Sequence, residues 1–152
     1  MDKTAQEKNS SEILSLYVVF LKALYLLHQD HHWKTPGYAE HLLFQRLYES
    51  AAESVDEAGE RAMGLFNVLQ KQETLSRLIS KFDTTSYDAL DLLESSLAAE
   101  KAFQNFAKKT YDIFKESGGM TLGLDDLIMS HANAGEVRIF LLQQAIKSHG
   151  KG

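Results

Sequence analysis

The sequence predicts an all-α chain of four long helices with one long crossover. Apolar residues recur at steps of three and four over four extended stretches. No stretch of strand length alternates apolar and polar residues, so no strand is expected. A single proline, Pro36, interrupts the 152 residues. Proline removes a backbone donor and clashes with the preceding turn, so its rarity leaves room for long helices on both sides.

The first helix is expected from about Ser11 to Trp33, after a flexible segment over residues 1–10. Its apolar residues, Leu14, Leu16, Tyr17, Val18, Phe20, Leu21, Leu24 and Leu27, run nearly all round it. A helix of that kind is covered on most sides, here in part by a partner subunit. Lys34-Thr35-Pro36-Gly37 is a turn. The second helix is expected from Ala39 to Gln70, with a core stripe of Leu43, Phe44, Leu47, Ala51, Val55, Ala58, Ala62, Leu65, Phe66 and Leu69. A short helix from Glu73 to Phe82 and a cap-rich link, Asp83-Thr84-Thr85-Ser86, follow. The third long helix runs from Tyr87 to Glu116, with Leu90, Leu93, Leu97, Phe103, Phe106, Ile113 and Phe114 inward, and Ser117-Gly118-Gly119 ends it. Thr121 caps the last helix, which reaches Lys147 and leaves 148–152 as a second tail.

Short links make the first and second long helices, and the third and fourth, antiparallel neighbours. The second and third are joined by about fifteen residues that carry their own short helix. That layout is a ferritin-like four-helix bundle with a short helix in the crossover, and residues 1–152 read as one domain.

Composition narrows the chemistry. There is no cysteine, which excludes disulfides, thiolate metal sites and cysteine nucleophiles and suits a reducing, cytoplasmic setting. Met1 to Ser11 is polar and carries no secretory pattern, while the apolar run Ile13 to Leu27 is short for a membrane span and is broken by Lys22. A net charge of −5 argues against a surface built to neutralise phosphates. No nucleophile–base pairing or glycine-rich phosphate loop is evident.

Six histidines are present, and four of them, His28, His31, His32 and His41, fall within fourteen residues. His28 and His32 share a face of the first helix, and His41 opens the second. Asp56 and Glu60 lie four apart on one side of the second helix, in line with His41 and Gln45. Imidazole with carboxylate suits iron, and zinc or manganese as well. Glu57 and Arg61 are spaced as an ordinary helical ion pair, and His131 reads as structural. On one continuous helix His41 and Asp56 are roughly 22 Å apart at 1.5 Å per residue. They cannot hold one ion within a chain. Two antiparallel second helices meeting at a two-fold axis would set each His32/His41 pair against the partner's carboxylates, giving two equivalent sites.

These residues resemble the pattern of the Dps family of mini-ferritins: His32-Trp33, Gly37-Tyr38, His41, Tyr48 and Asp56-Glu57-Ala58-Gly59-Glu60-Arg61. The resemblance implies a hollow shell, a homododecamer, that binds Fe²⁺ at an inter-subunit ferroxidase centre, oxidises it with H₂O₂ or O₂ and stores ferric iron. His32 and His41 would come from one chain and Asp56 and Glu60 from its partner, with Trp33 and Tyr48 beside the centre. Zinc is the expected substitute for iron. Glu49 or Glu53 would guide iron to the mineral, and Asp125, Asp126 and Glu136 would line a pore. The chain departs from the family pattern in three ways. The turn between His32 and His41 is about three residues shorter. Gln45 stands where an Asp ligand is usual, with His28 placed to compensate as a further ligand. The chain also lacks the Lys-rich tail of DNA-binding members, so DNA binding is not expected. No Glu-x-x-His occurs, which sets aside a di-iron site inside one bundle. The alternatives are a bundle that binds zinc or copper without redox turnover and a structural scaffold.

Overall fold

The computed structural model describes residues 3–68 and 71–150, with side chains from Ala5 onward. Five helices follow one another: α1 Lys3–Lys34, α2 Tyr38–Phe66, α3 Gln72–Phe82, α4 Ala89–Ser117 and α5 Leu122–Ser148. No strand occurs among the described residues.

Local chemistry sets the boundaries. The Thr121 side chain accepts from the Leu124 amide at 3.0 Å and caps α5 as expected. Asp88, not Tyr87, starts α4, its carboxylate accepting from the Leu90 and Asp91 amides. Gly118 ends α4 in the left-handed region at φ 77°, where a side chain would be strained. α1 begins at Lys3 rather than Ser11, and Ser10 is buried, so much of the expected flexible segment is helical. α2 ends at Phe66, with Asn67 in the left-handed region. Leu69 and Gln70, placed at the end of that helix by the sequence, lie outside the described residues.

Side-chain pairings give the helix directions. His32 meets His41 and Tyr25 meets Tyr48, so α1 and α2 are antiparallel. Glu100 meets Arg138, Gln104 meets Ala132 and Tyr111 meets Asp125, so α4 and α5 are antiparallel. Ser50 meets Arg138 and Glu57 meets His131, so α2 also opposes α5. It follows that α2 and α4 are parallel, a relation no tight turn can make. The segment containing α3 therefore spans the length of the bundle between them.

α1 lies centrally, with Leu14, Tyr17, Leu21 and Leu24 buried. Each contributes about 1.5–3 kcal/mol by leaving water. The sequence suggested a partner subunit to cover its outer side. Within the chain, α3 covers part of that side: Leu75 packs on Val19 and Ala23, and Phe82 meets Phe20 at 6.4 Å. By length and composition α1 could cross a membrane, but most of its apolar stretch is buried inside the protein. Leu65, expected in the core, remains exposed, as does Leu16 on α1.

At the middle of the bundle sits a charge the sequence reading did not include. Glu100 is fully buried, and its Oε2 accepts from His28 Nε2 and Arg138 Nε, each at 2.7 Å. Arg138 also donates to Ser50 at 3.0 Å, and Ser96 bridges His28 and His31. Burial alone would raise the Glu100 carboxyl, but the His28 hydrogen bond and the Arg138 charge outweigh it and hold it below the usual range.

Two outcomes are expected. Arg138→Ala strands a buried carboxylate and should cost about 3–5 kcal/mol in urea unfolding. Acid should also destabilise the fold in two stages. Burial, partly offset by the Glu57 hydrogen bond, keeps His131 below its ordinary 6.5, so the unfolded chain protonates first and stability falls as pH drops below that value. The Glu100 contribution is complete above its ordinary 4.5 and is lost as pH falls through its lower folded value. Urea midpoints measured across this range should decline monotonically with acid.

Candidate metal centre

The α1–α2 turn is only three residues long, and this brings two imidazoles face to face. The rings of His32 and His41 stack with centroids 3.8 Å apart and planes 21° from parallel. His32 Nδ1 lies 2.8 Å from the His41 carbonyl oxygen, and His41 Nδ1 lies 2.8 Å from the His32 carbonyl oxygen. A carbonyl only accepts, so each Nδ1 must carry the hydrogen. In the neutral ring this leaves Nε2 as the nitrogen with a lone pair to offer, the arrangement in which a histidine is oriented for a metal. Tyr48 stands edge-on to His32 at 5.3 Å and Tyr25 edge-on to Tyr48 at 5.9 Å. Trp33, expected beside the centre with Tyr48, points outward and is 69% exposed.

The carboxylates are elsewhere. Asp56 and Glu60 are exposed on α2 and line a groove of about 790 Å³ with Ser15, Val18 and Met63. α2 runs unbroken from His41 to Glu60, so the imidazoles and these carboxylates occupy opposite parts of one helix. Among the described residues no three His, Asp or Glu side chains converge on a metal position. The two imidazoles and the two carboxylates therefore do not meet within one chain.

The other residues singled out by the sequence lie elsewhere. His28 is a correction: it is fully buried with Nδ1 on Ser96 and Nε2 on Glu100, so both ring nitrogens are committed to the bundle interior. Gln45 donates to Glu49 at 3.0 Å. Glu57 does not pair with Arg61 as the spacing suggested; it faces His131 Nε2 at 3.1 Å. Glu53 is exposed. Asp125 accepts from the Tyr111 hydroxyl at 3.2 Å, while Asp126 and Glu136 line two separate grooves. Burial, reinforced by His28, lowers His31 to about 3.

Sequence reasoning missed Glu100, Arg138, Ser96 and the Tyr17–His131 contact. A signal was present. Ser96 and Glu100 stand among Leu93, Ala99 and Phe103 on the buried side of α4, and Arg138 stands between Gly135 and Leu142 on that of α5. Polar residues at core steps must find one another.

The tautomers are directly measurable. Nitrogen-detected long-range NMR of the metal-free protein should show His32 and His41 as Nδ1–H rings. Nε2–H rings would remove the orientation described above.

No family model matches the chain. The "Nutrient stress-induced DNA-binding protein" of Nostoc sp. is 30% identical over 105 residues, 65% of this chain. The match spans only 57% of the length of that relative. Among solved structures, a Dps protein from Bacillus brevis superposes with a TM-score of 0.82 at 18% identity, covering 95% of this chain and 99% of that one. The Dps protein of Vibrio cholerae O1, described as a member of a broad superfamily of ferritin-like diiron-carboxylate proteins, superposes with a TM-score of 0.80 at 16% identity, covering 94% of this chain and 92% of that one. The chain shares the all-helical, ferritin-like bundle fold of these Dps proteins.

Proposed function

We propose that this chain is an iron-oxidising mini-ferritin whose metal centre forms between two copies. The observation that carries this reading is the separation of two complementary half-sites on one rigid helix. His32 and His41 present oriented imidazoles at one end, and Asp56 and Glu60 present exposed carboxylates in a groove further along. A two-fold axis across α2 sets each half against the other and yields two equivalent centres. The mixed nitrogen and oxygen donor set suits Fe²⁺ as substrate, with Zn²⁺ as a competitor.

In this reading His32 and His41 hold and orient Fe²⁺ while the partner's Asp56 and Glu60 neutralise its charge and favour the ferric product. Two Fe²⁺ ions give up one electron each, and H₂O₂ with two protons leaves as two waters; O₂ is the alternative acceptor. Glu49 and Glu53 lie on α2 between the half-sites and would pass ferric iron inward. Gln45, hydrogen-bonded to Glu49, supplies at most a neutral, weak ligand, so the second metal position is the weaker one. Copies would close into a shell, twelve by the family resemblance, with the Asp125 and Asp126 end of α5 near a pore. A cytoplasmic setting suits the cysteine-free sequence. DNA binding is not part of this reading, because a net charge of −5 opposes phosphate contact, whatever the Nostoc relative's name records of that protein.

The test is Fe²⁺ oxidation followed by ferric absorbance, with O₂ and with H₂O₂, on size-fractionated protein. Asp56→Ala should slow it by on the order of 100-fold, since loss of even a supporting contact to a metal ligand costs 10–100-fold. The inter-subunit arrangement makes a sharper claim. Neither a His32→Ala/His41→Ala chain nor an Asp56→Ala/Glu60→Ala chain should oxidise iron alone. Co-refolded in equal amounts, they should regain about a quarter of the wild-type centres, because half the dimers are mixed and each mixed dimer rebuilds one of two sites. No recovery in properly assembled mixtures would place the centre within single chains. Wild-type oxidation no faster than in buffer would point to metal binding without redox turnover.

A further inference from the structure

A second chain of polar groups crosses the bundle apart from both the Glu100 cluster and the stacked imidazoles. Tyr17 on α1 is fully buried, with its ring 5.4 Å from Phe103 and stacked 5.9 Å from His131. Its hydroxyl lies 2.9 Å from His131 Nδ1, and His131 Nε2 lies 3.1 Å from a Glu57 carboxylate oxygen. The order of donors is determined. The Glu57 carboxylate only accepts, so Nε2 carries a hydrogen. Burial keeps His131 neutral, so Nδ1 accepts and the Tyr17 O–H donates. Burial also pushes the Tyr17 phenol well above its ordinary range, so it holds its proton as long as it keeps its electrons.

The two ends of this chain sit in very different surroundings. Tyr17 lies among Phe20, Phe103 and Leu21, away from water. Glu57 is exposed and follows Asp56 directly in α2; with Glu60 and Asp126 it lines a cleft of about 370 Å³. Val18, next to Tyr17, lines the groove that holds Asp56 and Glu60. Through His131, the buried phenol is thus linked to Glu57, whose carboxylate shares its cleft with Glu60.

We propose that Tyr17, His131 and Glu57 form a proton-coupled electron relay, in which Tyr17 reduces an oxidising radical formed where Fe²⁺ meets peroxide. One electron leaves Tyr17 and reduces the oxidant, for example hydroxyl radical to hydroxide. The phenolic O–H bond breaks and an N–H bond forms at His131 Nδ1. The resulting imidazolium keeps its Nε2–H on Glu57, so the new positive charge is paired where it arises. Tyr17 becomes a neutral phenoxyl radical enclosed by apolar side chains and unable to couple with another tyrosine. One further Fe²⁺ resets it, becoming Fe³⁺ as the proton returns from Nδ1 to the phenolate oxygen. The relay rests on the preceding functional reading only for the source of the oxidant.

The relay is tested first without iron. Metal-free protein is oxidised by a photogenerated ruthenium(III) polypyridyl complex, freeze-quenched at increasing times and read by electron paramagnetic resonance. Radicals on exposed Trp33, Tyr38 and Tyr87 should decay first, leaving a persistent phenoxyl signal in wild type that is missing in Tyr17→Phe. His131→Gln should slow its formation by on the order of 100-fold, the usual worth of a positioned base, with helix content unchanged by circular dichroism. A persistent signal undiminished in Tyr17→Phe, or formed as fast in His131→Gln, overturns the relay. The second arm replaces the photo-oxidant with Fe²⁺ and H₂O₂, and the same Tyr17-dependent signal is expected. Its absence there, beside a clear photo-oxidised signal, overturns the coupling to iron. Failure of the ferroxidase reading shows separately, as wild-type iron oxidation no faster than buffer.

Discussion

A carboxylate buried where four helices meet must be neutralised from several sides, and the bundle is arranged to do so at Glu100. α4 supplies the charge, α1 and α5 supply His28 and Arg138, and α2 reaches Arg138 through Ser50. Apolar stripes alone tolerate sliding by a turn, because leucine packs against leucine at many offsets. A charged hydrogen bond does not tolerate it. The cluster therefore sets the axial register of the long helices. That register in turn determines what the surface of α2 presents and where Tyr17 meets His131.

The α1–α2 turn serves a different end. Its three residues force the chain to reverse so tightly that two imidazoles come into van der Waals contact, and the main chain itself orients both rings. Further along α2, Asp56 and Glu60 stand exposed above a groove floored by Val18 and Gly59 of the paired helices. The unbroken course of α2 keeps these two regions apart as firmly as it holds each in place. In the function proposed above, each copy carries half a binding site, and the chemistry is a property of association.

Much of this was legible in the residues. The steps of three and four, the lone Pro36 and the caps at Thr121 and Gly118 sufficed for the helices, because each acts locally. The separation of His41 from Asp56 was arithmetic on helix rise. What the sequence did not disclose were choices among long-range partners. His28 and His32 look alike on one helix face, yet one is enclosed by Ser96 and Glu100 and the other lies against the turn. Glu57 is four residues from Arg61 but finds His131, seventy-four positions away, because α5 packs there. The coverage of α1 by α3 was equally hidden, since Leu75 could have packed on several surfaces.

The orientation of His32 and His41 has an evolutionary corollary. Their supporting acceptors are peptide carbonyls, which every amino acid carries, so no side-chain replacement around them can withdraw that support while the turn keeps its length. Drift in the neighbouring sequence can alter the rim and the partner surface without loosening the rings. Insertions and deletions are another matter, since one added residue between Lys34 and Tyr38 would uncouple both rings at once. Variation among close relatives of this chain should therefore be generous in residue type across this turn and strict in its length.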